Sequence, residues 1–189
     1  MKALLNKYDP LNDYRLILDM PAVIKQKITE VKNEFDEDYK GVIIPGGQPF
    51  VYLATFAGHE STEEDIIDAL NKVALGFMPF KMHLKDFDHI NNSEIFIGIE
   101  EQVPLQKLIQ QVEQTISGTE DLLLNGLPRI TIAKRLQPFQ FVKSWEKYKE
   151  KNFSATLVAN EMLLIKRMEG FRSWQILRRL AFQNLVISW

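Results

Sequence analysis

The sequence predicts an α+β fold made of two similar halves, and three observations predict it. Short β-type runs alternate with longer segments of helical periodicity along the chain. Two of the strands share one form: each is introduced by a proline and sets an i, i+2 apolar pair on one face. The order strand, helix, proline-led strand, helix, strand then occurs twice, with one further strand at the end. Halves of this kind pack as two lobes, each with an antiparallel sheet and outer helices. One bilobal domain is expected over residues 1–189, with 1–13 a loose lead-in and 183–189 an apolar tail.

Residues 14–20 read as a strand of the near-continuous apolar kind. Pro21 opens a helix whose inner stripe is Ile24, Ile28, Val31 and Phe35. A turn at residues 45–48 leads into the first proline-led strand, which runs to Phe56 and stops at Gly58. Ser61 and Glu64 have capping-box spacing, so a helix is expected from about Thr62, burying Ile66, Ile67, Leu70, Val73 and Ala74. Residues 80–84 and 93–99 read as strands joined by a connection at 86–92. Pro104 opens a helix with Leu105, Leu108, Ile109, Val112 and Ile116 inward, ended by Gly118. A loop over 119–128 leads to the second proline-led strand, and Pro138 starts a helix packing Phe141, Trp145 and Tyr148. Two long strands, 154–167 and about 171–182, close the chain.

The chain has 189 residues and no cysteine, which excludes disulfides, thiolate metal sites and a cysteine nucleophile. The N-terminal apolar run is too short for a signal peptide, and no apolar stretch approaches the ~20 residues of a membrane helix. A cytoplasmic protein that neither spans a membrane nor carries a cofactor is expected. Charge is unevenly spread: residues 129–189 hold 12 Lys+Arg against 4 Asp+Glu, leaving 11 against 21 in residues 1–128. That asymmetry suits a polyanionic partner on the basic side, or simple pairing between the two halves.

The stretch around which the chemistry gathers is Leu127-Pro128-Arg129-Ile130-Thr131-Ile132-Ala133-Lys134-Arg135. Strict alternation sets Arg129, Thr131, Ala133 and Arg135 on one side and the two isoleucines on the other, a candidate anion-binding face. The earlier stretch is Gln48-Pro49-Phe50-Val51-Tyr52-Leu53, with Val51 and Leu53 in the places of Ile130 and Ile132. The pair resembles the two signatures of the 2H phosphoesterases, the group of 2'-5' RNA ligases and cyclic phosphodiesterases, each of which reads Pro-His-x-Thr-apolar. The resemblance runs from about Tyr14 to Phe182 and includes residues 153–167, similar to the family's penultimate strand. It implies a 2'-5' RNA ligase-like domain of two pseudo-symmetric lobes. Phe50, Tyr52, Arg129 and Thr131 would then converge on the groove between them.

The departures from that pattern bear on function. Phe50 and Arg129 stand where the family has its two histidines, and Tyr52 replaces one threonine. The family reaction needs one imidazole to accept a proton and another to give one. Phe50 transfers no proton, and Arg129 is permanently charged. Losing acid–base help costs roughly 10²–10⁴-fold per group, so ordinary turnover is not expected. His59 is expected about 20 Å along the strand from Phe50, His83 on a strand where it faces either groove or solvent, and His89 in a loop. Each reads as an incidental polar residue rather than a catalyst. None has the neighbouring carboxylates of a metal site.

Three readings stay open at this stage. In the first, Tyr52, Arg129, Thr131 and Arg135 bind a phosphate-containing ligand, a nucleotide or RNA end, without turning it over. A wider basic field from Lys166, Arg167, Arg172, Arg178 and Arg179 would support them. In the second, the protein is a cyclic phosphodiesterase or 2'-5' RNA ligase with displaced catalytic groups. In the third, an aromatic plug fills the groove and the fold is a scaffold, with Trp145, Trp174, Trp189 and the apolar tail as docking contacts.

Overall fold

The computed structural model of the protein describes residues 9–46 and 48–186. In chain order the elements are β1 (Leu11–Leu18), α1 (Ala22–Asp38), β2 (Val51–His59), α2 (Glu63–Gly76), β3 (Phe80–Ile90), β4 (Glu94–Ile99) and α3 (Gln102–Ile116). There follow β5 (Glu120–Leu124), β6 (Ile130–Ala133), α4 (Pro138–Tyr148), β7 (Ser154–Ala159), β8 (Glu161–Arg167) and β9 (Gln175–Ala181). The strands make two antiparallel sheets, ordered β5-β2-β1-β8-β9 and β6-β4-β3-β7. This is the α+β class that the sequence predicts.

The sheets do not divide the chain at its middle. β3 ends the first half yet pairs with β4 and β7; β8 comes from the second half yet pairs with β1. The first half lends β3 to the second's sheet, the second lends β5, β8 and β9 to the first's, and one hydrophobic core runs through both. The predicted single strand over 154–167 is therefore two strands in two sheets. The break is Asn160, whose carbonyl accepts the Phe182 N–H at 2.8 Å. Before it, inward and outward residues alternate; after it, residues 162–165 are buried on both faces.

Other boundaries move for local reasons. β1 begins at Leu11, inside the expected lead-in, and residues 1–8 lie outside the described residues. β3 continues through the expected connection to Ile90, because Asp86 bulges at φ 50 and lets pairing with β4 resume at Phe87. Asn91 and Asn92, both at positive φ, make the turn. The expected loop 119–128 contains β5, an edge strand on β2 with no sequence alternation to reveal it. The capping box does not form: Ser61 gives both its N–H and its hydroxyl to Asp9, at 3.0 and 2.6 Å. The helix still begins where expected, at Glu63 with Thr62 as its N-cap residue, and three acids stand in its first turn.

The helices cover the core largely as their stripes dictate, although Ile66 of α2 and Trp145 of α4 are only partly buried, and α1 departs further. Its buried face is Ile24, Ile28, Lys32 and Phe35. Val31, assigned to that face by periodicity, is only partly buried, and the lysine takes its place. No helix among the described residues is long and apolar enough to cross a membrane.

Tyr148 closes the core between Phe35 and Phe87, with ring centroids 4.9 and 5.0 Å away. It is fully buried, and its hydroxyl has no hydrogen-bond partner among the described residues. An unmet buried hydroxyl costs about 1–3 kcal/mol. Tyr148→Phe is therefore expected to hold or raise the unfolding free energy in denaturant titration. A loss of more than about 1 kcal/mol would contradict that assignment.

Candidate functional site

The two proline-led strands reach one cavity from different sheets. In β2, Val51 and Leu53 are fully buried toward the core, so Phe50, just before the strand, and Tyr52 turn the other way. In β6, Ile130 and Ile132 do the same, so Arg129 and Thr131 face outward. Phe50, Tyr52, Arg129 and Thr131 line a single cavity of about 580 Å³. That volume is within the usual range for a small-molecule site, and the aromatic rings line it without filling it. Phe50, Tyr52 and Trp174 lean on Ile17, Leu163 and Ile165, a small apolar cluster separate from the main core.

Arg135 lies outside this lining. Pairing of β6 with β4 is irregular between Ile95 and Phe96, and Arg135 takes φ 56, so the alternation ends at the buried Ala133. Lys134 lines the cavity instead, its N–H held by the Ile43 carbonyl at 3.0 Å.

At the first residue of β4, Glu94 engages both donors that the sequence sets aside for an anion. Arg129 Nε and Nη2 donate to its carboxylate at 2.7 and 3.2 Å, and the Thr131 hydroxyl donates at 2.8 Å. Both ion-pair partners are mostly buried, at 21% and 17% side-chain exposure. Burial alone pushes the Glu94 carboxyl up, but the hydrogen bonds from Arg129 and Thr131 outweigh it and hold the group below its ordinary value. The guanidinium also donates to the Leu127 carbonyl at 3.0 Å and lies over the Phe96 ring.

Three further cations line the cavity: Arg15, Lys32 and Lys134. None has a carboxylate within ion-pair distance among the described residues. Arg15 stacks on Trp174 at 4.0 Å, and its buried Nε has no hydrogen-bond partner there. Burial holds Arg15 and Lys32 below their ordinary values. The wider C-terminal field is largely cancelled by ion pairs, most of them between the halves. Lys166 meets Glu63 at 2.6 Å, Arg167 meets Asp13 at 2.6 Å, and Arg179 meets Glu161 at 2.6 Å. Arg178 lies 3.7 Å from Glu64. A cavity of similar size between α2 and α3, about 590 Å³, is lined by one charged residue, Lys72.

None of the three histidines lines the groove cavity. His59 is at the end of β2 beside Asp9 and Glu120. His89 is in β3, not in a loop, and its ring packs against Phe141 and Trp145. His83 corrects the expectation of no neighbouring carboxylates. Strand register brings it against Glu101, with Glu100 close by. These three side chains have the proximity to hold a metal ion, but Lys85 already occupies Glu100 at 2.9 Å.

No protein-family model matches the sequence, and no curated protein matches it at a significant level. Solved structures do match. E. coli LigT in apo form superposes with a TM-score of 0.67 at 14% identity, covering 92% of this chain and 98% of LigT. The chain has the LigT fold. A structure described as a phosphoesterase gives 0.62 at 17% identity over 92% of this chain and 98% of its own. TT0787 of Thermus thermophilus gives 0.64 at 13% identity, covering 90% and 98%. LigT has also been solved with phosphate, 3'-AMP and ATP. The LigT-like architecture is the one implied by the resemblance of the proline-led strands to 2H phosphoesterase signatures.

On this LigT-like frame, sequence reasoning missed Glu94, Lys32 and Arg15. Glu94 had one available signal, its alternation with Phe96 opposite the apolar Ile95 and Ile97. Because Glu94 is held below its ordinary pKa, its contribution to stability is present at neutral pH and disappears as pH falls through the folded-state value. Glu94→Ala, which strands the Arg129 charge, is expected to lower unfolding free energy by about 1–3 kcal/mol at pH 7. The gap from wild type should close in acid. A pH-independent gap in denaturant titrations would refute the pairing as its cause.

Proposed function

We propose that the groove binds a phosphate-containing ligand, a nucleotide or RNA end, without turning it over. The observation that carries this reading is the cavity lining: four cations, one carboxylate and two aromatic rings on a LigT-like fold. The carboxylate is already neutralised by Arg129, so Arg15, Lys32 and Lys134 leave the cavity positive. Phe50 and Tyr52 offer faces on which a base stacks, an interaction worth about 1–3 kcal/mol per base in single-strand binders. Complexes of LigT with phosphate, 3'-AMP and ATP support the ligand class.

The same lining argues against catalysis. An acid–base pair needs groups that change protonation near neutrality. Phe50 has no exchangeable proton, Arg129 stays charged, and Glu94 is held ionised by the donors around it. A scaffold role loses most of its surface. Trp174 stacks with Arg15 and Arg167, and Trp145 packs on His89. The tail folds back, its Asn184 and Leu185 N–H groups donating to the Phe77 and Leu75 carbonyls at the end of α2. Trp189 lies outside the described residues.

Fluorescence anisotropy with a labelled short RNA tests the proposal. Binding is expected at low salt and should weaken as salt rises. Tyr52→Ala should weaken it by about fivefold or more. Incubation with 2',3'-cyclic AMP should give no product above buffer at high protein concentration. Absent or salt-independent binding would reject the ligand class, and turnover would reject the inactive reading.

A further inference from the structure

This inference rests on the reading of the groove as a phosphate site, and it names the side chain that receives the phosphate. Lys32 occupies an apolar position of α1, four residues after Ile28 and three before Phe35, and is 8% exposed. Its Nζ donates one hydrogen bond, to the Pro45 carbonyl at 3.0 Å. An ammonium has three donors, so two have no partner among the described residues, in a side chain that lines the cavity. Desolvation shifts its protonation downward, and no anion among the described residues opposes it. A buried cation without a counterion is costly unless a partner arrives.

The donors at the signature position are in the opposite state. Arg129 and Thr131 are saturated by Glu94, and that carboxylate would repel a phosphate brought to the same place. We propose that the phosphate is received by Lys32, displaced from the position the LigT-like fold would suggest. The loop after α1 makes the seat. Pro45 and Gly46 line the cavity beside Lys32, and the bridge between Ile43 and Lys134 ties the end of β6 to the same loop. Lys134 adds a second ammonium to that lining, and Pro49 and Phe50 continue it toward Tyr52.

Calorimetric titration at low salt tests this with inorganic pyrophosphate and with a 5'-phosphorylated RNA trinucleotide. Wild type, Lys32→Met, Lys32→Gln and Thr131→Val are compared, and each is also melted without ligand. Loss of a charged hydrogen-bond donor predicts about tenfold or more weaker binding in both Lys32 variants. Thr131→Val should bind within about twofold of wild type, because its hydroxyl serves Glu94. Lys32→Met should melt no lower than wild type without ligand, since it removes an uncompensated buried charge. Lys32→Gln keeps a donor for the Pro45 carbonyl and so separates loss of charge from loss of that bond. Unchanged binding in the Lys32 variants, or a loss in Thr131→Val as large as theirs, would overturn the assignment while leaving the groove a phosphate site. No binding by wild type would overturn both.

Discussion

The Glu94 carboxylate accepts two hydrogen bonds from the Arg129 guanidinium and one from the Thr131 hydroxyl, and the groove is arranged around that closed trio. It satisfies a cation that burial would otherwise make expensive, and it fixes the outward face of β6 in one geometry. It also removes from use the two groups that most resemble an anion receptor in the sequence. A guanidinium with a free fork binds phosphate bidentately; one with its fork filled by a carboxylate does not. The positive charge that remains comes from Arg15 on β1, Lys32 on α1 and Lys134 just past the end of β6.

What holds these elements together is the exchange of late strands between the two halves. With β3 in the sheet of β4 and β8 in the sheet of β1, the halves share one core. β2 and β6 sit in different sheets, yet both deliver side chains to one cavity. Fully buried pairs on each strand, Val51 with Leu53 and Ile130 with Ile132, set that orientation. Slipping either strand by one residue would turn the outward pair into the core.

The legible part of the fold was the part governed by local period. The stripe of α3, most of the stripes of α1 and α2, and the faces of β2 and of β6 up to Ile132 follow from spacing alone. The edge strand β5 and the sheet change at Asn160 did not, because both depend on which strand lies alongside. The site divides in the same way. Phe50, Tyr52, Arg129 and Thr131 could be placed on one groove from alternation and the resemblance to known signatures. Arg135 left that face because of an irregularity in pairing and a positive φ that the sequence pattern does not encode. Lys32 stood at apolar spacing in plain view, four residues beyond Ile28, but a lysine in a helical stripe ordinarily reads as the solvent edge. The charge asymmetry between the halves resolved mostly into ion pairs across the fold, such as Lys166 with Glu63 and Arg167 with Asp13.

A crystal structure of the protein soaked with a thiophosphate nucleotide, its sulfur located by anomalous scattering, would show where the groove receives its anion. The thiophosphate is expected within hydrogen-bond reach of Lys32 Nζ, intact, with Glu94 still bound to Arg129 and Thr131. A thiophosphate held by Arg129 and Thr131 in place of Glu94 would contradict the closed trio and the displaced seat together.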